Sequence, residues 1–150
     1  MKRSAEFRLE SFLPYRLSVT TNRVSRAFAA RYQDEFGIAI PEWRVIAVLG
    51  AFAPLSSNEI CGRTAMDKAK VSRAVASLLK AGSVERAPHA TDQRLIQLTL
   101  SRQGRKIYDA IVPRARALEA ELTEGFSRQE VARLHALLDR LGDRAQALDV

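Results

Sequence analysis

Cysteine is nearly absent: Cys61 stands alone in 150 residues, which excludes an internal disulfide and fits a reducing compartment. Long apolar runs are missing too, and no stretch reaches the roughly 20 residues that a membrane-spanning helix needs. The start, Met1-Lys2-Arg3-Ser4-Ala5-Glu6, leads into Arg8 and Glu10 without an apolar signal core. The expectation is therefore a cytoplasmic protein with no membrane partner. Histidine is limited to His89 and His135, isolated from one another and from any Cys/His cluster of ligand spacing, so no metal is expected. Gly-rich phosphate loops, nucleophile elbows and paired His/acid constellations are also lacking, and Glu119, Glu121 and Glu124 read as solvated helix faces. The chain reads as a binding protein without a cofactor, not as an enzyme. Repeats, low-complexity runs and Gly/Ser linkers do not occur. With 47% apolar residues, the length suits one compact domain or two lobes sharing helices.

What the chain has is positive charge in one place. The net charge is +7. Between Gly62 and Lys106 ten Lys/Arg stand against only Asp67, Glu85 and Asp92, so this segment alone carries the whole excess. Confining the excess to one segment concentrates phosphate contacts and counterion release, the footprint of a polyanion-binding face.

Apolar periodicity supplies the scaffold. From about Ser11 to Phe36, Leu13, Leu17, Val24, Phe28 and Tyr32 recur at helical spacing, with Pro14 in the first turn and Gly37 as a stop. A second helix opens at Pro41 and carries Trp43, Ile46, Leu49 and Phe52 as its apolar positions. Ser56 and Glu59 form a capping-box pattern that starts a short third helix through Ile60 and Thr64. Asp67 is the N-cap of a fourth helix, Lys68 to Ala81, closed by Gly82, with Val71, Val75, Leu78 and Leu79 buried. At 100° per residue its opposite face holds Ala69, Lys70, Arg73, Ala76, Ser77 and Lys80.

After Gly82 the period changes. Ser83 to Arg86 is strand-like, and Arg94 to Leu100 alternates with Ile96, Leu98 and Leu100 on one face. Ala87 to Gln93 reads as an irregular polar loop between them. The fold class is mainly α with a small β-hairpin wing: a winged helix-turn-helix plus a helical dimerisation lobe. Ser101 caps a long helix with Ile107, Tyr108, Ile111, Leu118 and Leu122, interrupted by Pro113. Ser127 with Glu130 opens a final helix in which Val131, Leu134, Leu138, Leu141, Ala145 and Leu148 follow steps of three and four. Such a seam calls for a partner, and a second copy of the chain is the economical one.

These segments together resemble the MarR family, the multiple antibiotic resistance regulators. The resemblance rests on Val71-Ser72-Arg73-Ala74-Val75, Leu78-Leu79-Lys80-Ala81-Gly82, Val84-Glu85-Arg86, Asp92-Gln93-Arg94 and Leu100-Ser101-Arg102-Gln103-Gly104. Gly125-Phe126-Ser127-Arg128-Gln129-Glu130 before the late leucines adds to it, so the likeness runs from about Leu13 to Leu141. It implies a two-fold symmetric homodimer, with 1–37 and 102–150 as the helical dimerisation lobe and 38–101 as the DNA-binding lobe. It also implies cytoplasmic control of transcription, typically a repressor released by a small-molecule effector. A ligand-independent activator or anti-repressor, and a protein-interaction adaptor that keeps the winged fold without DNA, are the competing readings.

In such a fold the first turns of the fourth helix meet base edges in the major groove of duplex DNA, which singles out Lys68, Lys70, Ser72 and Arg73. Arg73 suits either a bidentate contact to guanine or a phosphate, and sequence does not choose. The resemblance implies Arg94 at the minor groove with Asp92 orienting it, and Arg86 at the base of the wing suits a phosphate. Two-fold symmetry calls for a pseudo-palindromic operator with half-sites about 10 bp apart. His89 near the loop tip reads as a solvated histidine, and Cys61 as a small buried thiol. Tyr15, Arg16, Trp43 and Arg44 are conceivable lining for an effector pocket, against core packing for the aromatics and solvent for the arginines.

Overall fold

The structure, a computed structural model, describes residues 6–92 and 94–149. After a 3-10 turn at Leu9–Ser11, the chain runs through α1 (Leu13–Phe36), α2 (Ile40–Phe52), α3 (Ser57–Thr64) and α4 (Lys68–Lys80). The hairpin β1 (Val84–Pro88) and β2 (Ile96–Leu100) follows, then α5 (Arg102–Leu122) and α6 (Arg128–Leu148). No helix among the described residues is long and apolar enough to cross a membrane. A helical protein with a two-stranded antiparallel wing is what the periodicities predicted.

Local chemistry sets most boundaries. Pro14 and Pro41 sit in the first turns of α1 and α2, where a missing N–H costs least. Gly37 ends α1 with φ 62°, and its N–H donates to the Gln33 carbonyl. The second helix starts one residue earlier than Pro41, with Ala39 as an N-cap that makes no side-chain hydrogen bond. Both predicted capping boxes form: the Glu59 N–H donates to Ser56 Oγ at 3.2 Å, and the Ser56 N–H to Glu59 Oε2 at 2.7 Å. Ser127 and Glu130 repeat the arrangement at the start of α6.

The core of the winged lobe gathers side chains from α2, α3, α4, the hairpin and the start of α5. Val45, Ile46, Leu49, Ile60, Val71, Ala74, Leu78, Leu98 and Ile111 are buried, with Ile107 and Tyr108 packed beside them. Two residues of the apolar patterns lie outside this core. Phe52 is 52% exposed, because it falls one turn beyond Leu49 at the end of α2, and the Arg63 guanidinium covers its ring at 4.0 Å from the centroid. Ile96 is 58% exposed at the far end of β2 although Leu98, on the same strand face, is buried.

Register differs slightly from the sequence reading. Val84 pairs with Leu100 and Pro88 with Ile96, so Ala87 and Pro88 extend the strand that was expected to end at Arg86. Proline is tolerated there because it occupies the last position of the strand. Leu55, between α2 and α3, adds a bridge to β2: its N–H donates to the Leu98 carbonyl at 3.1 Å and its carbonyl accepts from the Leu98 N–H at 2.8 Å.

The passage from wing to α5 is tightly fitted. Ser101 Oγ donates to the Gly82 carbonyl at 2.6 Å and accepts the Gly104 N–H at 3.0 Å. Gly104 lies so close to the Ser83 carbonyl that a Cβ there would overlap it. Pro113 sits inside α5, where it leaves the Asp109 carbonyl without its helical donor. The chain divides at this residue into two compact units, the first ending at Pro113 and the second beginning at Arg114. In the second unit α6 buries none of its residues; Leu134, Leu137, Leu138 and Leu148 remain 46–76% exposed.

Candidate nucleic-acid interface

The fourth helix sorts its residues by direction. Val71, Ala74, Val75 and Leu78 face the core, while Lys68, Ala69, Lys70, Ser72, Arg73, Ala76, Ser77 and Lys80 are exposed. Asp67 fixes where the helix begins, because its Oδ1 accepts the Lys70 N–H at 2.7 Å. Lys68, Lys70, Ser72 and Arg73 therefore stand on the first two turns, on a backbone anchored at its N-cap. Residue spacing divides them further. Lys70 and Arg73 border one shallow cleft of about 210 Å³ with Pro41 and Glu42 at the start of α2. Ser72 points to the other flank, into a groove of about 250 Å³ shared with Ser57 of α3 and with Arg86 and Ile96 of the wing.

The wing supplies the remaining candidates. Asp92 Oδ1 accepts the Arg94 N–H at 3.0 Å and its Nε at 3.2 Å, and Oδ2 lies 3.5 Å from Nη2. Hydrogen bonds from Arg94 hold the Asp92 carboxyl below the usual carboxylate range, its backbone N–H contributing most and its side chain next. The Arg94 side chain is 91% exposed, so its guanidinium is oriented from one side and open on the others. Gln93, the middle of the Asp-Gln-Arg motif, lies outside the described residues, as do Met1–Ala5 at the start.

Six of the seven candidates thus fall into three places, Lys70 and Arg73, Ser72 with Arg86, and Asp92 with Arg94, while Lys68 is exposed in the first turn of α4 and borders neither of these clefts. Two groove residues, Ser57 and Ile96, escaped the sequence reading. Ser57 follows the N-cap of a recognised capping box and so opens a helix whose dipole favours an anion. That signal was present but was read as structure only. Alternation puts Ile96 on one strand face with Leu98, and its exposed place at the start of β2 brings it to the groove.

The conceivable effector-pocket residues do not form one site. Trp43 packs on the core and lies 5.8 Å from Tyr32 between ring centroids, and Arg44 Nη2 donates to Ser25 Oγ at 3.3 Å. Burial raises the Tyr32 hydroxyl above its ordinary pKa, with Arg44 opposing. Tyr15 and Arg16 instead border a separate depression along α1 with Glu10, Val19, Thr20 and Arg23. Cys61, expected to be buried, is only half-buried, packed against the edge of the core. Among the described residues no three His, Cys, Asp or Glu gather as metal ligands would.

Comparison with known proteins agrees with this geometry. The sequence model of the MarR family matches residues 36–95, from the end of α1 to the wing. The HTH-type transcriptional repressor IacR of Pseudomonas putida is 25% identical over 136 residues, covering 91% of this chain and 81% of that protein. A solved MarR/EmrR family regulator from Acinetobacter sp. ADP1 is 27% identical and superposes with a TM-score of 0.87 over 94% of this chain and 99% of its own. Bordetella bronchiseptica BpsR, whose DNA binding is regulated by 6-hydroxynicotinic acid, shares the fold with a TM-score of 0.82 at 20% identity, covering 91% of this chain and 97% of its own. A winged helix-turn-helix with an exposed basic helix face, the Asp92–Arg94 pair in its wing and these likenesses point one way: over residues 36–95 the chain is similar to the MarR family of transcriptional regulators, and its fold is that of a solved regulator of that family.

Proposed function

We propose that the protein is a sequence-specific repressor that binds a pseudo-palindromic operator as a homodimer and is released by a small-molecule effector. The observation that carries the reading is the exposed basic face of α4 beside a wing that presents Arg94 on Asp92. In the proposed complex α4 lies in the major groove. Lys68, Lys70 and Arg73 are its cationic contacts, and Arg73 is the residue placed to read guanine. Ser72 and Arg86, on the groove between α4 and the wing, take backbone phosphate. Arg94 enters the minor groove, where the narrow walls strengthen the negative potential.

Residues 38–101 form the DNA-binding lobe in this proposal, and 1–37 with 102–150 the dimerisation lobe. Support comes from apolar surface that a single chain leaves in water: Leu134, Leu137, Leu138 and Leu148 on α6, and Phe7, Leu9, Phe12 and Leu13 near the start. Covering a half-exposed leucine gains about 1 kcal/mol, so several of them together stabilise a second copy. Control by a small molecule is supported by BpsR, which is regulated in that way. The place of action is the cytoplasm.

DNase footprinting on the region upstream of the chain's own gene, with the mass in solution measured by light scattering, tests the proposal. A dimeric mass and two protected half-sites about one helical turn apart are expected. A monomer protecting one isolated half-site contradicts it.

A further inference from the structure

The wing tip is built around His89, which is part-buried by the loop it closes. His89 Nδ1 accepts the backbone N–H of Thr91 and that of Asp92, each at 3.2 Å, and the Thr91 hydroxyl lies at the same distance. A backbone N–H can only donate, so Nδ1 must offer its lone pair, which puts the proton of the neutral ring on Nε2. The loop is closed on either side of this contact. The His89 N–H donates to the Leu95 carbonyl and the Leu95 N–H to the Asp92 carbonyl, both at 3.1 Å. The imidazole does here what an asparagine or aspartate oxygen does in an Asx turn, accepting backbone donors two and three residues on.

The turn so formed carries Asp92, and Asp92 carries Arg94. We propose that His89 is a positioning residue for DNA binding: in its Nε2–H form it fixes the backbone of Thr91 and Asp92, and through the Asp92 carboxylate it sets the direction of Arg94 before DNA arrives. The inference rests on the reading that Arg94 enters the DNA groove. An arginine that is 91% exposed has many rotamers, and holding it in one lowers the entropy lost on binding. The role is distinct from a phosphate contact by His89 itself, because a ring that contacts DNA directly would act whether or not Arg94 were present.

The test compares wild type, His89→Ala, His89→Asn, Arg94→Ala and the double variant His89→Ala/Arg94→Ala. Each is titrated by fluorescence anisotropy onto one duplex from upstream of the chain's own gene, with circular dichroism to verify the fold. Loss of one backbone acceptor predicts that His89→Ala binds about three- to tenfold more weakly. Asparagine, whose Oδ1 can accept the Thr91 N–H, restores affinity to within about twofold of wild type. In the Arg94→Ala background, His89→Ala changes affinity by less than about twofold, because the residue it positions is gone. Nitrogen-15 NMR of the free protein, recorded where the ring is neutral, should show it protonated at Nε2. Wild-type affinity in His89→Ala beside a weakened Arg94→Ala overturns this inference alone. So does an equal loss from His89→Ala with and without Arg94, or a ring protonated at Nδ1. Wild-type affinity in Arg94→Ala overturns the reading of the wing, and this inference with it.

Discussion

Ser101 joins the wing to α5 through two hydrogen bonds, and its replacement by alanine should cost more than the loss of an ordinary helix cap. The side chain is buried; its Oγ accepts the Gly104 N–H at 3.0 Å, capping α5, and donates to the Gly82 carbonyl at 2.6 Å. Losing an N-cap costs about 1–2 kcal/mol. The bond to Gly82 adds about 1 kcal/mol, because the carbonyl loses a partner next to a buried residue. Ser101→Ala is therefore predicted to destabilise by about 2–3 kcal/mol. Ser56→Ala removes a cap of the same kind on the surface, where water replaces the lost partner, and should cost about 1 kcal/mol. Urea unfolding at one fixed protein concentration compares the two, the fixed concentration removing any contribution of assembly to the midpoint. Equal costs for Ser101→Ala and Ser56→Ala would refute the reasoning, since the buried second bond is what separates them.

Three further outcomes are expected. Gly104→Ala would drive a Cβ into the Ser83 carbonyl, and overpacking of this kind costs about 1–3 kcal/mol or more, readable as a lowered thermal midpoint. Arg86→Ala should weaken binding to all duplexes alike and reduce the slope of log affinity against log salt by about 1, as loss of one phosphate contact does; a change in sequence preference would speak against that role. The third concerns acid. A carboxyl whose pKa is lowered in the folded protein stabilises it above the ordinary carboxylate range, and that contribution is lost as pH falls through the lowered value. Asp92 is such a group, so the share of the order on Arg94 that its carboxylate supplies is present at neutral pH and is lost in acid, as pH falls through that lowered value. Asp92→Asn should lack this acid limb; its presence in the mutant, followed by NMR of the Arg94 side chain, would place the titrating group elsewhere.

Much of the scaffold was legible because short-range chemistry determines it. Ser56 with Glu59, Ser127 with Glu130, and Asp67 before Lys68 mark helix starts within three residues of themselves, and each forms the predicted bonds. Three residues of the buried stripe of α4, Val71, Val75 and Leu78, were legible from spacing alone; Leu79, at the edge of that stripe, is only partly buried, and Ala74 is missed because alanine carries little periodic signal. The misplaced residues share another cause. Phe52 and Ile96 keep the right phase on their elements but stand past the point where neighbouring elements end, and periodicity carries no information about where cover stops. The bridge from Leu55 to Leu98 joins residues distant in sequence, so no local pattern announces it. In the candidate interface, the basic residues were visible as charge. Their division between two flanks of α4, and the turn built on His89, depend on the closed wing and became visible only in three dimensions.

Binding by the wild-type protein and Arg94→Ala to the duplex upstream of the chain's own gene, measured by anisotropy at two salt concentrations with excess nonspecific competitor, is the most direct test of a DNA-binding regulator. Tight binding that weakens steeply with salt is predicted, with at least a tenfold loss in Arg94→Ala, about 1.4 kcal/mol or more. Binding insensitive to salt and to the substitution, or none at either concentration, would contradict the account.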